Sequence, residues 1–417
     1  MNTEPKRVMV IGGGIAGLTA AWEMSKFGIE VDLVEKASFL GGHAIQFCCK
    51  ATDECQQCGA CSVEKMLKNV VNEPLIKIHH SAEIEKVQSN KKFVVSLKKD
   101  PEYIDPAKCN NCGICFEKCP VEGALMRGYS KNNIPLYAIC EDNCLFIKNK
   151  SCTVCQDACP EEAIELNKTG SLDELNVDAI ILATGFQPFD ATKKPTYGYG
   201  KFNNVITGMD LERSIRENGS GVRTSDGKAP QNVAFIQCVG SRDEHLGNLW
   251  CSQACCPYAL RMSEAIKYKN PDTDITIFYM DIQNTGNNFE NFYEKCKSDL
   301  RFIRNIPVDI YPMEDDRLRI RNMGEDDGLP VDEEFDLIVL SIGIMPGLDN
   351  RKLSELFGIN LNEDCFFLST DKLNKCTTSK EGIFVAGTAE GPKIIAASMA
   401  HAGQAACEAM KYLEATK

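Results

Sequence analysis

Short apolar runs that stop at a glycine or an acid recur along the chain. Arg7 to Ile11 (RVMVI) is the first; it enters a glycine cluster, after which Leu18, Ala21 and Met24 repeat at helical spacing. Ile29 to Val34 is the second and ends at Glu35. Short alternating segments over residues 76–98 predict a β-meander. Asp178 to Gly185 (DAIILATG), Val233 to Gln237 (VAFIQ) and Gly382 to Gly387 (GIFVAG) are further buried-strand runs. Helical patterns cover about 63–70, 257–267 and 394–413. Strands alternating with helices predict an α/β fold. The pattern breaks over residues 101–170, where cysteines replace the apolar runs.

The glycines after the first run fall as Gly12-x-Gly14-x-x-Gly17. In a strand–loop–helix unit Gly12 makes the tight turn, Gly14 lets the backbone approach a pyrophosphate, and Gly17 lets the helix pack on the sheet. Ile15 and Ala16 open that helix, whose N-terminus faces the phosphate, and Glu35 can take both ribose hydroxyls. Strand, loop, helix, strand and acid in this order are far more specific than the glycines alone. Lys36 to Gly42 (KASFLGG) is similar to the second glycine pair of two-dinucleotide flavoproteins, and DAIILATG ends in the Ala-Thr-Gly turn of that superfamily. GIFVAG is the strand that returns the chain beneath a flavin. These features favour FAD over NAD. Lys36, Gly42, His43, Thr184, Gly185, Gly387, Thr388 and Lys393 are expected to join the glycine loop at the cofactor. His43 and His401 are expected as polar contacts rather than acid–base catalysts.

Fourteen of the 22 cysteines lie between Cys48 and Cys159. Cys109-x2-Cys112-x2-Cys115-x3-Cys119-Pro120 has the ligand spacing of a bacterial ferredoxin [4Fe–4S] cluster. In two-cluster ferredoxins the fourth cysteine of each run ligates the other cluster, so Cys109, Cys112 and Cys115 are expected to share theirs with Cys159. The second run, Cys144-x7-Cys152-x2-Cys155-x3-Cys159-Pro160, is irregular, because Asn149 stands where its first cysteine belongs. Cys144, or else Cys140, must complete Cys152, Cys155 and Cys119. Structural zinc also uses Cys-x2-Cys pairs, but it does not need the Cys-x3-Cys-Pro ending. Cys55, Cys58 and Cys61 are a further candidate set, with Cys48 or Cys49 as fourth ligand; spare loop thiols are the alternative. Cys238, Cys251, Cys255 and Cys256 follow the strand where a second nucleotide-binding glycine loop is expected, which favours a third cluster over buried structural thiols. Cys296, Cys365, Cys376 and Cys407 are isolated and expected in the core.

A net charge of −13 argues against nucleic acid and anionic membranes as partners. No run of about 18 apolar residues suggests a membrane span. The apolar stretch from Val8 to Ala21 suits a phosphate loop better than a signal peptide, and no small-residue cleavage site follows it. Cysteines at metal spacing without an export signal point to iron-bound thiolates rather than disulfides. The expected location is cytoplasmic, in an anaerobic cell, with any membrane association made through partners.

The segment Phe235 to Leu260 (FIQCVGSRD…NLWCSQACCPYAL) closely resembles the signature of heterodisulfide reductase A subunits. Tyr103 to Pro120 (YIDPAKCNNCGICFEKCP) is similar to that family's inserted ferredoxin domain, and Gly382 to Lys393 (GIFVAGTAEGPK) to its C-terminal flavin motif. The resemblance implies a two-dinucleotide-binding, thioredoxin-reductase-like flavoprotein with an inserted α+β ferredoxin domain. It implies a [4Fe–4S] cluster on Cys238, Cys251, Cys255 and Cys256. It also implies transfer between FAD and clusters to partner subunits of the heterodisulfide reductase B/C or ferredoxin type, with electron bifurcation or confurcation in some members and a homodimer within the complex. The expected division is 1–100, 171–229 and 346–417 for the FAD-binding domain, 101–170 for the insert, and 230–345 for a degenerate nucleotide-binding-like domain carrying a cysteine site. Relative to the long family form, an N-terminal cluster domain and a C-terminal ferredoxin domain are expected to be lacking. Arg261 stands where the family commonly has a lysine near the flavin, and is the candidate for tuning it; Thr388 stands where an aspartate often follows Ala-Gly. Arginine brings the charge but not the geometry of lysine. The rival functions are an NAD(P)H-dependent reductase like the small subunit of glutamate synthase, a thiol–disulfide enzyme using Cys55 and Cys58, and a scaffold whose clusters only stabilise the fold.

Overall fold

Two parallel sheets of the same design organise the chain. The computed structural model describes residues 5–89, 92–105, 108–129, 135–283, 289–323 and 329–416; Pro106 and Ala107, in the approach to the first cysteine run, lie outside these. The first sheet has the order Ile383–Val385, Ala179–Leu182, Arg7–Ile11, Glu30–Val34, Ile76–His79, with every pair parallel. Both faces are covered, which explains the unbroken apolar runs. Helices Ile15–Lys26 and Ile395–Ala415 bury Leu18, Met24, Ala402 and Ala406 on one face. A three-stranded antiparallel sheet, Ala82–Ser89, Phe93–Lys99 and Ser171–Val177, packs Ile84, Val95 and Leu97 on the other.

Residues 76–79 do not begin the meander. They pair in parallel with Glu30–Val34, from Val31↔Ile76 to Val34↔His79, because helix Ala60–Val71 supplies the crossover a parallel neighbour needs. The meander starts at Ala82 and takes its third strand from Ser171–Val177.

The second sheet has the order Val205–Thr207, Leu337–Ile342, Asn232–Val239, Asp274–Phe278, Arg301–Ile303, again all parallel. It too carries a three-stranded antiparallel sheet, Ile310–Pro312, Leu318–Met323 and Pro330–Phe335. The two units share a strand motif, Asp178-x-Ile-x-Leu-x-x-Gly185 and Asp336-x-Ile-x-Leu-x-x-Gly343. In each, the aspartate accepts from the first backbone N–H of the neighbouring strand: Asp178 Oδ2 from Arg7 N at 2.9 Å, Asp336 Oδ2 from Asn232 N at 3.0 Å. A repeated short motif thus sets the start of the sheet twice.

The cysteine-rich segment interrupts a hairpin. Phe93–Lys99 and Ser171–Val177 are antiparallel neighbours in register from Phe93↔Val177 to Lys99↔Ser171, and the chain between them forms a separate lobe. That lobe contains the hairpin Leu125–Tyr129 with Pro135–Ile139 and the short helices Ile114–Lys118, Leu145–Asn149 and Val154–Asp157. Its small core mixes Leu125, Phe146, Ile164 and Leu166 with Cys115, Cys144 and Cys155. So few apolar side chains make a weak core by themselves, and small domains of this kind commonly rely on metal.

Candidate functional site

A cavity of about 580 Å³ opens where the first sheet ends against the second unit. Gly12, Gly14, Ile15 and Ala16 form one wall. Gly12 has φ +105°, and a Cβ there would lie 2.3 Å from Ala183 O, so only glycine makes this turn. A Cβ on Gly17 would lie 1.7 Å from Gly12 O; Gly17 therefore packs the helix on the loop and does not line the cavity. A Cβ on Gly14 would meet only Gly42 Cα, at 4.0 Å, so its backbone is free to be approached. Gly41 N donates to Gly13 O at 2.7 Å and pins the loop to the second glycine pair.

Glu35 holds the loop from the opposite side. Oε2 accepts from Gly13 N at 2.6 Å and Oε1 from Ala37 N at 2.7 Å. Burial pushes this carboxyl up, and the backbone N–H groups pull against that. Gly42 and His43 line the cavity; the His43 ring lies 4.8 Å from Phe186, Nε2 is 3.1 Å from Phe186 O, and burial holds the imidazole down, in the neutral form. Thr184, Gly185, Thr388 and Lys393 complete the expected lining, with Lys393 Nζ on Glu390 Oε2 at 2.5 Å. Lys36 and Gly387 stand outside it. Lys36 is exposed and paired with Glu83 and Asp349 at 2.9 and 3.0 Å, and a Cβ on Gly387 would lie 2.5 Å from Ala16 Cβ.

The residues fit a bound dinucleotide. Thr184 Oγ1 is buried at the wall with no hydrogen-bond partner among the described residues, the helix N-terminus at Ile15 has no side-chain cap, and the glycine loop leaves backbone space beside it. A volume near 580 Å³ with an apolar lining is of the size that takes a cofactor.

Part of the lining carries no signal of the kind that marked the glycine loop. Ser341, Ile342 and Gly343 line the cavity as Ala183, Thr184 and Gly185 do, and the two segments occupy the same positions of the repeated strand motif. Lys50, Phe47 and Tyr258 also line it. No periodicity marks them.

Cys255 lies in the same wall, next to Ala254 and Pro257. It starts the helix Cys255–Lys269, while Cys238 lies near the end of Asn232–Val239 in left-handed backbone at φ +60°. Cys238, Cys255 and Cys256 are buried and Cys251 is half-buried. Burial, and then the closeness of Cys238, Cys256 and Cys251, pushes the Cys255 thiol up; burial pushes Cys256 to about 11. A bound metal cluster would reverse the electrostatics that burial imposes on Cys238, Cys255 and Cys256. Arg242 sits beside them, its guanidinium on Asp281. Arg261, about one and a half turns further along the helix, lines the cavity and donates from Nε to Gln56 O at 2.8 Å.

In the insert the structure sorts the cysteines into two sets. Cys109, Cys112, Cys115 and Cys159 line one small cavity; Cys119, Cys144, Cys152 and Cys155 line another, each about 20 Å³. Each fourth cysteine crosses to the other run's site. The irregular spacing is absorbed by the helical turn Leu145–Asn149, capped at Cys144 and ended by Lys150 at φ +60°. Cys140 lines neither cavity. Among the described residues no group of His, Cys, Asp and Glu is arranged to hold a single metal ion. Four thiols around a cavity suit a cube of iron and sulfur better than one zinc.

Of the Cys55 group, Cys58 lines the large cavity and Cys55 and Cys61 are exposed. Cys48 is half-buried, with its backbone N–H on Glu212 at 2.8 Å; Cys49 is exposed. Cys296 and Cys376 are core thiols, whereas Cys365 is half-buried and Cys407 is exposed on the helix Ile395–Ala415. Cys407 departs from the core expectation because its helix buries only the face carrying Ala402, Ala405 and Ala409.

Two segments of the chain match known domain families. Residues 10–48 match the NAD(P)-binding Rossmann-like domain and residues 102–123 the 4Fe-4S binding domain. The chain is 34% identical to the A-type component of the H(2):CoB-CoM heterodisulfide,ferredoxin reductase of Methanothermobacter thermautotrophicus, over 97% of this chain and 63% of that protein. It is 37% identical to an A-type iron-sulfur component of the CoB--CoM heterodisulfide reductase of Methanopyrus kandleri, over 98% of this chain and 64% of the relative. It therefore spans somewhat under two thirds of the length of these relatives. The fold is that of the thioredoxin reductase of Lactococcus lactis, with a TM-score of 0.53 and 16% identity over 98% of this chain and 99% of that one. The insert apart, this is the expected two-dinucleotide α/β architecture.

Proposed function

We propose that this chain, which is similar over nearly its whole length to heterodisulfide reductase A proteins, is an electron-transfer component of a multi-subunit oxidoreductase, linking FAD to [4Fe–4S] clusters. One observation carries this reading: Cys255, one of four converging thiols, stands in the wall of the cavity built by the glycine loop. When bound, FAD would exchange electrons in pairs or singly and the clusters singly.

The chain's own residues hold and insulate that arrangement. Gly12 to Gly14 and the helix N-terminus at Ile15 receive the pyrophosphate, and Glu35 fixes the loop and takes the ribose. Arg261 brings positive charge to the cavity, and its hydrogen bonds go to the backbone carbonyls of Gln56 and Pro257 rather than to a carboxylate. Positive charge there favours an electron-rich ring. Cys238, Cys251, Cys255 and Cys256 would hold a cluster at the wall of the cavity that Cys255 lines. In the insert, Cys109, Cys112, Cys115 and Cys159 hold one relay cluster, and Cys119, Cys144, Cys152 and Cys155 the other. The insert leaves and rejoins the chain at one end of the hairpin formed by Phe93–Lys99 and Ser171–Val177. Partners of the heterodisulfide reductase B/C or ferredoxin type, a cytoplasmic location, and bifurcation at the flavin belong to this proposal; no helix among the described residues is long and apolar enough to cross a membrane.

The segment that follows Asn232–Val239 supports the absence of a pyridine-nucleotide site. It runs from Gly240 through Cys251 to a helix that begins at Cys255, not through a glycine loop entering a helix. Photoreduction of the flavin in anaerobic, FAD-loaded chain, followed by freeze-quench EPR, tests the proposal. Cluster signals that grow at a rate independent of protein concentration are expected. A flavin that stays reduced beside oxidised clusters, or that NADH or NADPH bleaches directly, would overturn it.

A further inference from the structure

Lys50 is the only lysine among the described residues that is buried, at 1% exposure, and it lies in the wall of the large cavity. Its ammonium pairs with Glu212, itself 1% exposed, and donates to Cys48 O at 3.2 Å. The rings of Phe47 and Tyr258, both in the same wall, stand 5.4 and 5.2 Å from it. Glu212 is shared, because its other oxygen accepts from Cys48 N at 2.8 Å.

The pair also bridges the two units. Lys50 follows the glycine pair of the first unit, and Glu212 lies on helix Gly208–Asn218 of the second. One turn along that helix, Arg216 Nη2 donates to Phe47 O at 2.7 Å. Helix Gly208–Asn218 thus fixes the segment 45–50, and with it the place of the ammonium.

A buried ion pair seldom stabilises a fold more than apolar side chains of the same volume would. An aromatic wall at this point would close the cavity without the desolvation cost. The position gives the charge a different use. A cation in a dry cavity wall stabilises negative charge on whatever ring the cavity holds, and a carboxylate behind it sets how much of that charge the ring experiences. We propose that Lys50 is a flavin-tuning residue and that Glu212 is the positioning residue that attenuates it. The inference rests on the FAD reading given above. It assigns the setting of the flavin potential to a pair spanning both units, in addition to Arg261.

The test is an anaerobic spectroelectrochemical titration of the flavin absorbance in FAD-loaded full-length chain and in Lys50→Met, Lys50→Arg and Glu212→Gln. Lys50→Met is expected to lower the preference for reduced over oxidised FAD about tenfold, as loss of one partly neutralised charge would. That equals about 30 mV toward more negative potential for a two-electron couple. Lys50→Arg should keep the potential near that of the parent chain. Glu212→Gln leaves the cation unneutralised and should move the potential the opposite way. A merely structural pair would shift both variants in one direction, or neither, and either result overturns the proposal. Should Lys50→Met not fold, Glu212→Gln decides: an upward shift supports the proposal and an unchanged potential defeats it. Parent chain that takes up no FAD removes the flavin reading itself; parent chain that takes it up while Glu212→Gln is unshifted removes only this inference.

Discussion

Replacing Glu35 by glutamine alters one atom type at the centre of the glycine loop. Both carboxylate oxygens accept from backbone N–H groups, Gly13 at 2.6 Å and Ala37 at 2.7 Å. A glutamine has one oxygen and one NH2, so one of these N–H groups must face another donor. The loss is one hydrogen bond to a charged group, about 1.5–3 kcal/mol, with a buried donor left unpaired. Because Gly13 lies between the two glycines that line the cavity, the loss falls on the conformation that receives the pyrophosphate. FAD affinity should fall by about tenfold to a hundredfold, since about 1.4 kcal/mol is a factor of ten. Quenching of FAD fluorescence on titration into apoprotein measures this, with thermal unfolding of the apoprotein as the control for folding. FAD affinity within about twofold of the parent would refute the reasoning, because it would show that the carboxylate does not organise the loop.

Other perturbations separate the remaining parts. Cys159→Ser should abolish the EPR signal of the cluster held by Cys109, Cys112 and Cys115, although Cys159 is closer in sequence to Cys152 and Cys155; Cys140→Ser should leave both insert signals in place. Gly17→Ala should yield protein without FAD, since the new Cβ would lie 1.7 Å from Gly12 O and neither the helix nor the loop can yield that distance; bound FAD per chain after desalting is the check. Burial works against the Asp32 carboxylate, but hydrogen bonds from His79 and Arg7 outweigh it and hold it below the usual range. Its stabilising contribution is therefore full above the unfolded value, near about 4, and is lost as pH falls through the folded one. Asp32→Asn should destabilise the chain by about 3–5 kcal/mol at neutral pH, and denaturant curves of the two proteins should converge in acid.

What the sequence made legible follows from how much local chemistry each feature requires. The glycine loop, Glu35 and the Ala-Thr-Gly turn were readable because a tight turn, a close approach and an acid at a strand end each demand particular residues. Ligand spacing alone groups Cys159 with Cys109, Cys112 and Cys115, and Cys119 with Cys152 and Cys155, and each group lines one small cavity. The choice of Cys144 over Cys140 was not, since the short helix that spans the irregular gap is set by packing of Phe146 in the lobe core. Ile76–His79 was misread as meander because a four-residue strand looks the same whether its neighbour is parallel or antiparallel. The second wall of the cavity was missed although the sequence carries its signal, the repeat of Asp178 to Gly185 at Asp336 to Gly343. Lys50 and Glu212 were illegible for another reason. They are 162 positions apart, and only the approach of the two units makes them a pair.

Iron and FAD per chain, determined together on protein purified and desalted without oxygen, bear most directly on the link between flavin and relay. About one FAD and about twelve irons are expected, four for each insert site and four at Cys238, Cys251, Cys255 and Cys256. About eight irons or fewer would leave the cysteines in the cavity wall without a cluster and contradict the account.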